Sequence, residues 1–326
     1  MWSYLSSSEY NTLGEKSLPG RDIAGGGTRT KTLNIQKAGI PVINRVPLCE
    51  TFGLLVEPLS LNKHPDTTSS NEAFNLNLNE IKERRGTNVI WTEEQQLLRW
   101  TGSKRDELLA NADALLVCNN YLKNLLRAFI QQPIYILRTP IDQLLFRPAD
   151  AKKKRVVATS RVCIQKNIRD IITLFSHLPS TWEKVFIGNA NLWGQPPTPV
   201  DLKLEGELAN VCDWIPTLSQ QGIADLASDT LAYVNMSRYD VGCLSFLEFS
   251  MAGCHCFCWN YHPMFDEYVG VQRFISPLAG AEMIQNVINE YGDEPNAFIR
   301  EMMIGNHSYT AFRQQLKELT LQVAPL

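Results

Sequence analysis

The chain has 326 residues, 44% hydrophobic and 20% charged, with a formal net charge of −3. That is enough apolar content for a packed core and about two domains, and the acidic-leaning balance excludes a global pull towards nucleic acid or anionic membrane, though not a local basic patch. No run reaches the ~20 apolar residues of a membrane span, the opening MWSYLSSSEY lacks the marks of a secretory signal, and crowded cysteines such as Cys254, Cys256 and Cys258 form no disulfide framework, so a cytoplasmic location is expected.

In the first half, Gly25-Gly26-Gly27-Thr28 leads into a predicted helix over 28–38, and IPVINRV (40–46) reads as a strand. Residues 58–76 are polar and rich in Ser and Asn, and read as a long loop. Strands follow at 88–92, 114–118 and 134–137, with helices at 105–112 and 120–129 between them. Lys152-Lys153-Lys154-Arg155 reads as a solvated, charged linker, so domains are expected at 1–150 and 151–326.

The second half alternates more clearly. A β-branched strand (155–160) precedes an amphipathic helix (166–177) with Ile168, Ile171, Ile172 and Phe175 on one face. Strands are expected at 185–188, 211–215, 231–236 and 254–259, with helices at 217–228 and 243–252. Strands alternating with helices imply crossover units and parallel sheets, an α/β fold.

The stretch 231–259 carries the chemistry. Gly242 sits where a loop enters a helix, so the amides of Gly242, Cys243 and Leu244 are expected as first-turn donors for an anion such as a diphosphate. Glu248 is the sole acid between Gly242 and Cys258, on a helix apolar nearly all round, and is therefore expected to be buried. A buried carboxylate needs donors. Ribose hydroxyls would serve, as would an arginine or backbone amides. Asp240 lies in the loop before that helix and can reach the same crevice. Arg161 and Lys166 flank a strand-to-helix loop and can converge on a diphosphate, although each alone is an ordinary surface residue type. Cys254, Cys256 and Cys258 share one face of a strand and His255 the other, so buried thiols are expected there rather than a metal site.

Together these features resemble the retaining GT-B glycosyltransferases, particularly glycosyltransferase family 4. The resemblance lies in the Arg-x4-Lys pair (Arg161, Lys166), in acid-x7-acid running into Ala-Gly (Asp240, Glu248, Ala252-Gly253), and in Pro140-Ile141-Asp142 with Phe146-Arg147-Pro148 at a domain junction. The first acid is usually Glu and is Asp240 here. The resemblance implies two Rossmann-like domains whose parallel sheets face across a cleft, with acceptor on the N-terminal domain and nucleotide sugar on the C-terminal one. It implies a last helix near 308–322 crossing back to the first domain. It also implies Arg161 and Lys166 on the leaving diphosphate, Glu248 on the ribose, Asp240 on the donor sugar, Gly26 and Gly27 near the phosphates, a UDP-sugar donor, no tightly bound cofactor and no required metal.

Glu93 and Glu94 follow the strand 88–92, where either could act on an acceptor hydroxyl or start a helix as solvated acids. Residues 88–118 and the Phe257-Cys258-Trp259 strand loosely resemble the T-even phage DNA α-glucosyltransferases, in which Glu94 matches an acceptor-site acid. Arg84, Arg85, Arg99, Lys104 and Arg105 would then face DNA phosphates. This implies glucose transfer to hydroxymethylated pyrimidines of double-stranded DNA in a phage-infected cytoplasm. A saccharide or lipid-linked acceptor, a silent nucleotide-sugar-binding module and a GT-B epimerase are the alternatives. His262, in the loop after 254–259, is read as a loop residue rather than a catalyst.

Overall fold

The computed structural model describes residues 2–5, 27–43, 53–56, 69–83, 87–91, 103–190, 197–238, 240 and 242–323. The chain divides into two compact units, Met1–Pro140 with Tyr309–Leu326, and Ile141–Ser308.

The first unit holds strands β1 (Trp2–Leu5), β2 (Val42–Ile43), β3 (Gly53–Val56), β4 (Asn88–Trp91), β5 (Ala114–Val117) and β6 (Ile134–Ile136). All pair in parallel, in the order β2-β1-β3-β4-β5-β6. Parallel strands carry helices on both faces and so read as continuous apolar runs; every residue of β4 and β5 is buried. Ile35 from the helix Gly27–Lys37 and Phe312, Leu316 and Leu319 from the helix Tyr309–Val323 complete this core. Phe312 stacks on Trp91 at 5.9 Å between ring centroids. Lys31 is buried with its ammonium 4.2 Å from the Trp91 ring centroid, a cation–π contact.

One expectation for this unit fails in part. Residues 70–76 belong to a helix, Ser70–Glu83, not to a loop. Phe74, Leu78 and Ile81 are buried along it at helical spacing, and that burial overrides the weak helix propensity of its Ser and Asn residues.

The second unit holds β7 (Lys153–Thr159), β8 (Glu183–Ile187), β9 (Asp213–Ile215), β10 (Thr230–Asn235), β11 (His255–Trp259) and β12 (Gln272–Phe274). Their order is β12-β11-β10-β7-β8-β9, again all parallel. The chain winds outwards from β7 in one direction and from β10 in the other, so these two central strands form the topological switch point, the place where such sheets leave a crevice at their carboxyl ends. The helix Ile168–His177 buries Ile168, Ile171, Leu174 and Phe175. Leu174 replaces the expected Ile172, which packs at the edge of the core. Each such burial contributes roughly 1.5–3 kcal/mol. A helix not foreseen, Pro199–Ala209, starts with a capping box between Thr198 and Asp201.

The charged run at 152–155 is not a solvated linker. Lys152 is buried, and its Nζ donates to the carbonyls of Ala227, Ser228, Thr230 and Ala252 at 2.9–3.2 Å. It thereby closes the carboxyl ends of the helices Gln220–Asp229 and Leu244–Met251, where a cation also meets the negative ends of both helix dipoles. Lys153 pairs with Asp229, and Arg155 bridges Glu183 and Asp229. The apparent hinge is the first strand of the second sheet.

Candidate functional site

The loops leaving β7 and β10 meet at the switch point. After β7 the chain passes Arg161, forms a 3-10 turn over Ile164–Lys166, and enters the helix Ile168–His177 through Asn167. After β10 it passes Arg238, Asp240 and Gly242 and enters the helix Leu244–Met251 through Cys243. Neither helix has a side-chain cap on its first-turn amides. The other α-helices that begin in this unit are capped, by Thr198, Ser219, Ser276 and Asn296. Open first-turn amides and the positive dipole end favour an anion.

Lys166 and Asp240 join the two loops: Lys166 Nζ lies 2.8 Å from Asp240 Oδ2. The Asp240 amide donates to His262 Nε2 at 2.6 Å, and the Met264 amide faces His262 Nδ1 at 3.3 Å. A neutral imidazole accepts at one nitrogen and an imidazolium at neither, so the shorter contact assigns Nε2 as the acceptor. Burial pushes the His262 pKa below the ordinary histidine value, against the pull of Asp240. His262 does lie in the loop after β11, where it is buried as a strut under Asp240.

Glu248 is 3% exposed, as the apolar helix around it demands. Burial pushes its carboxyl up to about 8, with a side-chain hydrogen bond from Gln220 pulling the other way. No arginine is paired with it among the described residues. At the entry to the same helix, the Cys243 thiol accepts from Asn235 Nδ2 at 2.7 Å. Burial, reinforced by Asp240, pushes that thiol up to about 12, so it stays neutral. Tyr233 continues the contacts, with its hydroxyl 2.9 Å from Thr159 Oγ1 across the β7–β10 pair.

The structure brings Lys166, Asp240, Gly242, Cys243 and Leu244 to one crevice edge, and sets Glu248 further along the helix that starts there. Arg161 is half-buried in the same β7 loop and makes no ion pair among the described residues. Gly27 is the first residue of the helix Gly27–Lys37; Gly26, Glu93 and Glu94 lie outside the described residues. Cys254 and Cys256 are buried in hydrogen bonds to Thr230 O and Ser250 Oγ. Sequence reasoning missed Asn167, Gln220, Arg238 and Lys31. Asn is the non-glycine residue that best tolerates a left-handed backbone, so its place at the head of a helix was the available signal for Asn167.

No protein-family model and no curated protein matches the chain. Solved structures do. HepE of Anabaena, in complex with UDP and glucose, superposes with a TM-score of 0.67 at 12% identity, covering 98% of this chain and 99% of that one. Sucrose-phosphate synthase from Thermosynechococcus elongatus gives 0.63 at 13% identity, over 91% of this chain and 77% of that one. A glycosyltransferase from Rickettsia africae gives 0.62 at 12% identity, over 91% and 88%. The fold is GT-B. In GT-B terms the uncapped helix starts and the Lys166–Asp240 pair stand at the switch point of the second Rossmann-like unit. No helix among the described residues is long and apolar enough to cross a membrane.

Proposed function

We propose that the chain is a retaining glycosyltransferase that moves a hexose from a nucleoside diphosphate sugar, a UDP-sugar, to a hydroxyl of a saccharide or lipid-linked acceptor. The observation that carries this reading is the pair of uncapped helix starts at the β7–β10 switch point, joined by Lys166 and Asp240. The open amides at the head of each helix, those of Ile168 and Leu244 among them, and a lysine suit a diphosphate better than any neutral group. The fold shared with HepE along nearly its whole length, and that protein's complex with UDP-glucose, support the choice of donor. Sucrose-phosphate synthase, named for a sugar product, supports a saccharide acceptor.

On this reading Arg161, Lys166 and the helix starts stabilise the charge that builds on the departing diphosphate. The anomeric carbon–oxygen bond breaks with its electron pair passing to the phosphate oxygen. The acceptor oxygen bonds to the anomeric carbon, and its proton passes to the departing phosphate. Lys166 trades Asp240 for the phosphate, which frees the Asp240 carboxylate for a sugar hydroxyl. Glu248 holds the ribose hydroxyls, with Gln220 fixing the carboxyl. The first unit takes the acceptor.

No observation favours DNA over a saccharide. Of the basic side chains set aside for DNA, Arg105 lies 3.2 Å from Asp106, while Arg84, Arg85 and Arg99, like the acid Glu94, fall outside the described residues. The test is transfer from labelled UDP-glucose and UDP-N-acetylglucosamine to panels of saccharides, lipid-linked sugars and hydroxymethylated DNA, with product stereochemistry read by NMR. An α-linked sugar product from an α-donor supports the reading. Donor binding without turnover on any panel leaves a silent binding module, and an altered donor sugar without acceptor makes the chain an epimerase.

A further inference from the structure

Two further contacts tie the β7 loop to the β10 loop. The Arg238 amide donates to Gln165 O at 3.1 Å, and Arg238 Nε donates to Asn167 Oδ1 at 2.9 Å. Asn167 has φ 58, the one positive φ of a non-glycine residue among those described. It is 7% exposed, its Nδ2 has no hydrogen-bond partner, and its side chain does not cap the helix it begins. A left-handed backbone and a buried amide without an acceptor are two separate costs at one residue. Such costs persist where the arrangement serves something else.

The left-handed turn lets the 3-10 turn Ile164–Lys166 run straight into the helix Ile168–His177, which keeps Lys166 at the helix mouth. The Asn167 side chain is turned to Arg238 instead of to its own helix. Arg238 is exposed, and its guanidinium makes no ion pair among the described residues. We infer that Arg238 is a third cation for the diphosphate, and that Asn167 is the positioning residue that aims it; a phosphate oxygen is the acceptor that Asn167 Nδ2 lacks. The identity of the anion rests on the nucleotide-sugar reading, whereas the clamp itself requires only a diphosphate.

The test is calorimetric titration of the full chain with pyrophosphate, UDP and uridine. Arg238→Ala and Asn167→Gly should each weaken pyrophosphate and UDP by about tenfold, the scale of one charge-assisted hydrogen bond, and change uridine by less than about twofold. Arg238→Lys keeps the charge but lacks the fork that Asn167 holds, and should recover less than half of the loss on a logarithmic scale. Asn167→Gly should melt within about 2 °C of wild type, because glycine adopts the left-handed backbone without strain. The inference is overturned if wild type does not bind pyrophosphate, if Arg238→Ala binds it unchanged, or if Asn167→Gly lowers the melting temperature while leaving pyrophosphate affinity intact. Pyrophosphate binding that responds to both variants, with no binding of UDP, would instead sink the nucleotide reading and leave the clamp standing.

Discussion

Two kinds of helix start occur in the second unit. The helices at Pro199, Gln220, Pro277 and Ala297 each have a side chain closing the first turn. Those at Ile168 and Leu244, on either side of the β7–β10 pair, do not. A closed start is worth about 1 kcal/mol of stability, so leaving two open beside the β7–β10 pair forgoes stability where the topology of this unit opens a crevice. The capped starts serve the fold; the open ones are available to a ligand.

That contrast can be broken from either side. The largest effect is expected from Lys166→Ala. Transfer should fall by roughly 100–1,000-fold, the scale of losing one positive group from a developing charge. A loss below about tenfold in steady-state kinetics would remove Lys166 from the diphosphate.

Glu248→Gln sharpens the other end of the site. Burial raises the folded-state pKa of Glu248 to about 8 from 4.5. Its contribution to stability is thus fully present below pH 4.5 and is lost as pH rises through about 8. Between pH 5 and pH 9 the melting temperature of wild type should fall by about 5 °C or more relative to Glu248→Gln. Parallel melting curves in scanning calorimetry would mean that the carboxyl is ionised throughout.

The smallest effect comes from a closed start. Ser276→Ala removes the acceptor for the Ala279 amide. It should cost about 1 kcal/mol, or about 2–4 °C, and leave UDP affinity unchanged by calorimetry. A change in UDP affinity would erase the distinction between the two kinds of start.

Much of the second unit was legible because its signals are periodic. Ile168, Ile171 and Phe175 mark a helix face, and the apolar run around Glu248 demands burial for that acid. Lys152 misled because charge runs are usually solvated, and nothing local announces that the carbonyls at two helix ends converge on one ammonium. The helix Ser70–Glu83 was hidden by Asn and Ser, although Phe74, Leu78 and Ile81 keep the spacing. Asn167 and Arg238 lie 71 residues apart and meet only because β7 and β10 are neighbours, a pairing that strand propensity does not encode. In the first unit, Lys31 over Trp91 depends in the same way on which strand lies under which helix.

The most direct measurement is a crystal structure of the full chain with UDP. The diphosphate is expected on the first-turn amides at Ile168 and Leu244, with Lys166 turned from Asp240 to a phosphate oxygen and the ribose hydroxyls on Glu248. UDP bound elsewhere, with the Lys166–Asp240 pair intact and both helix starts still empty, would contradict this arrangement.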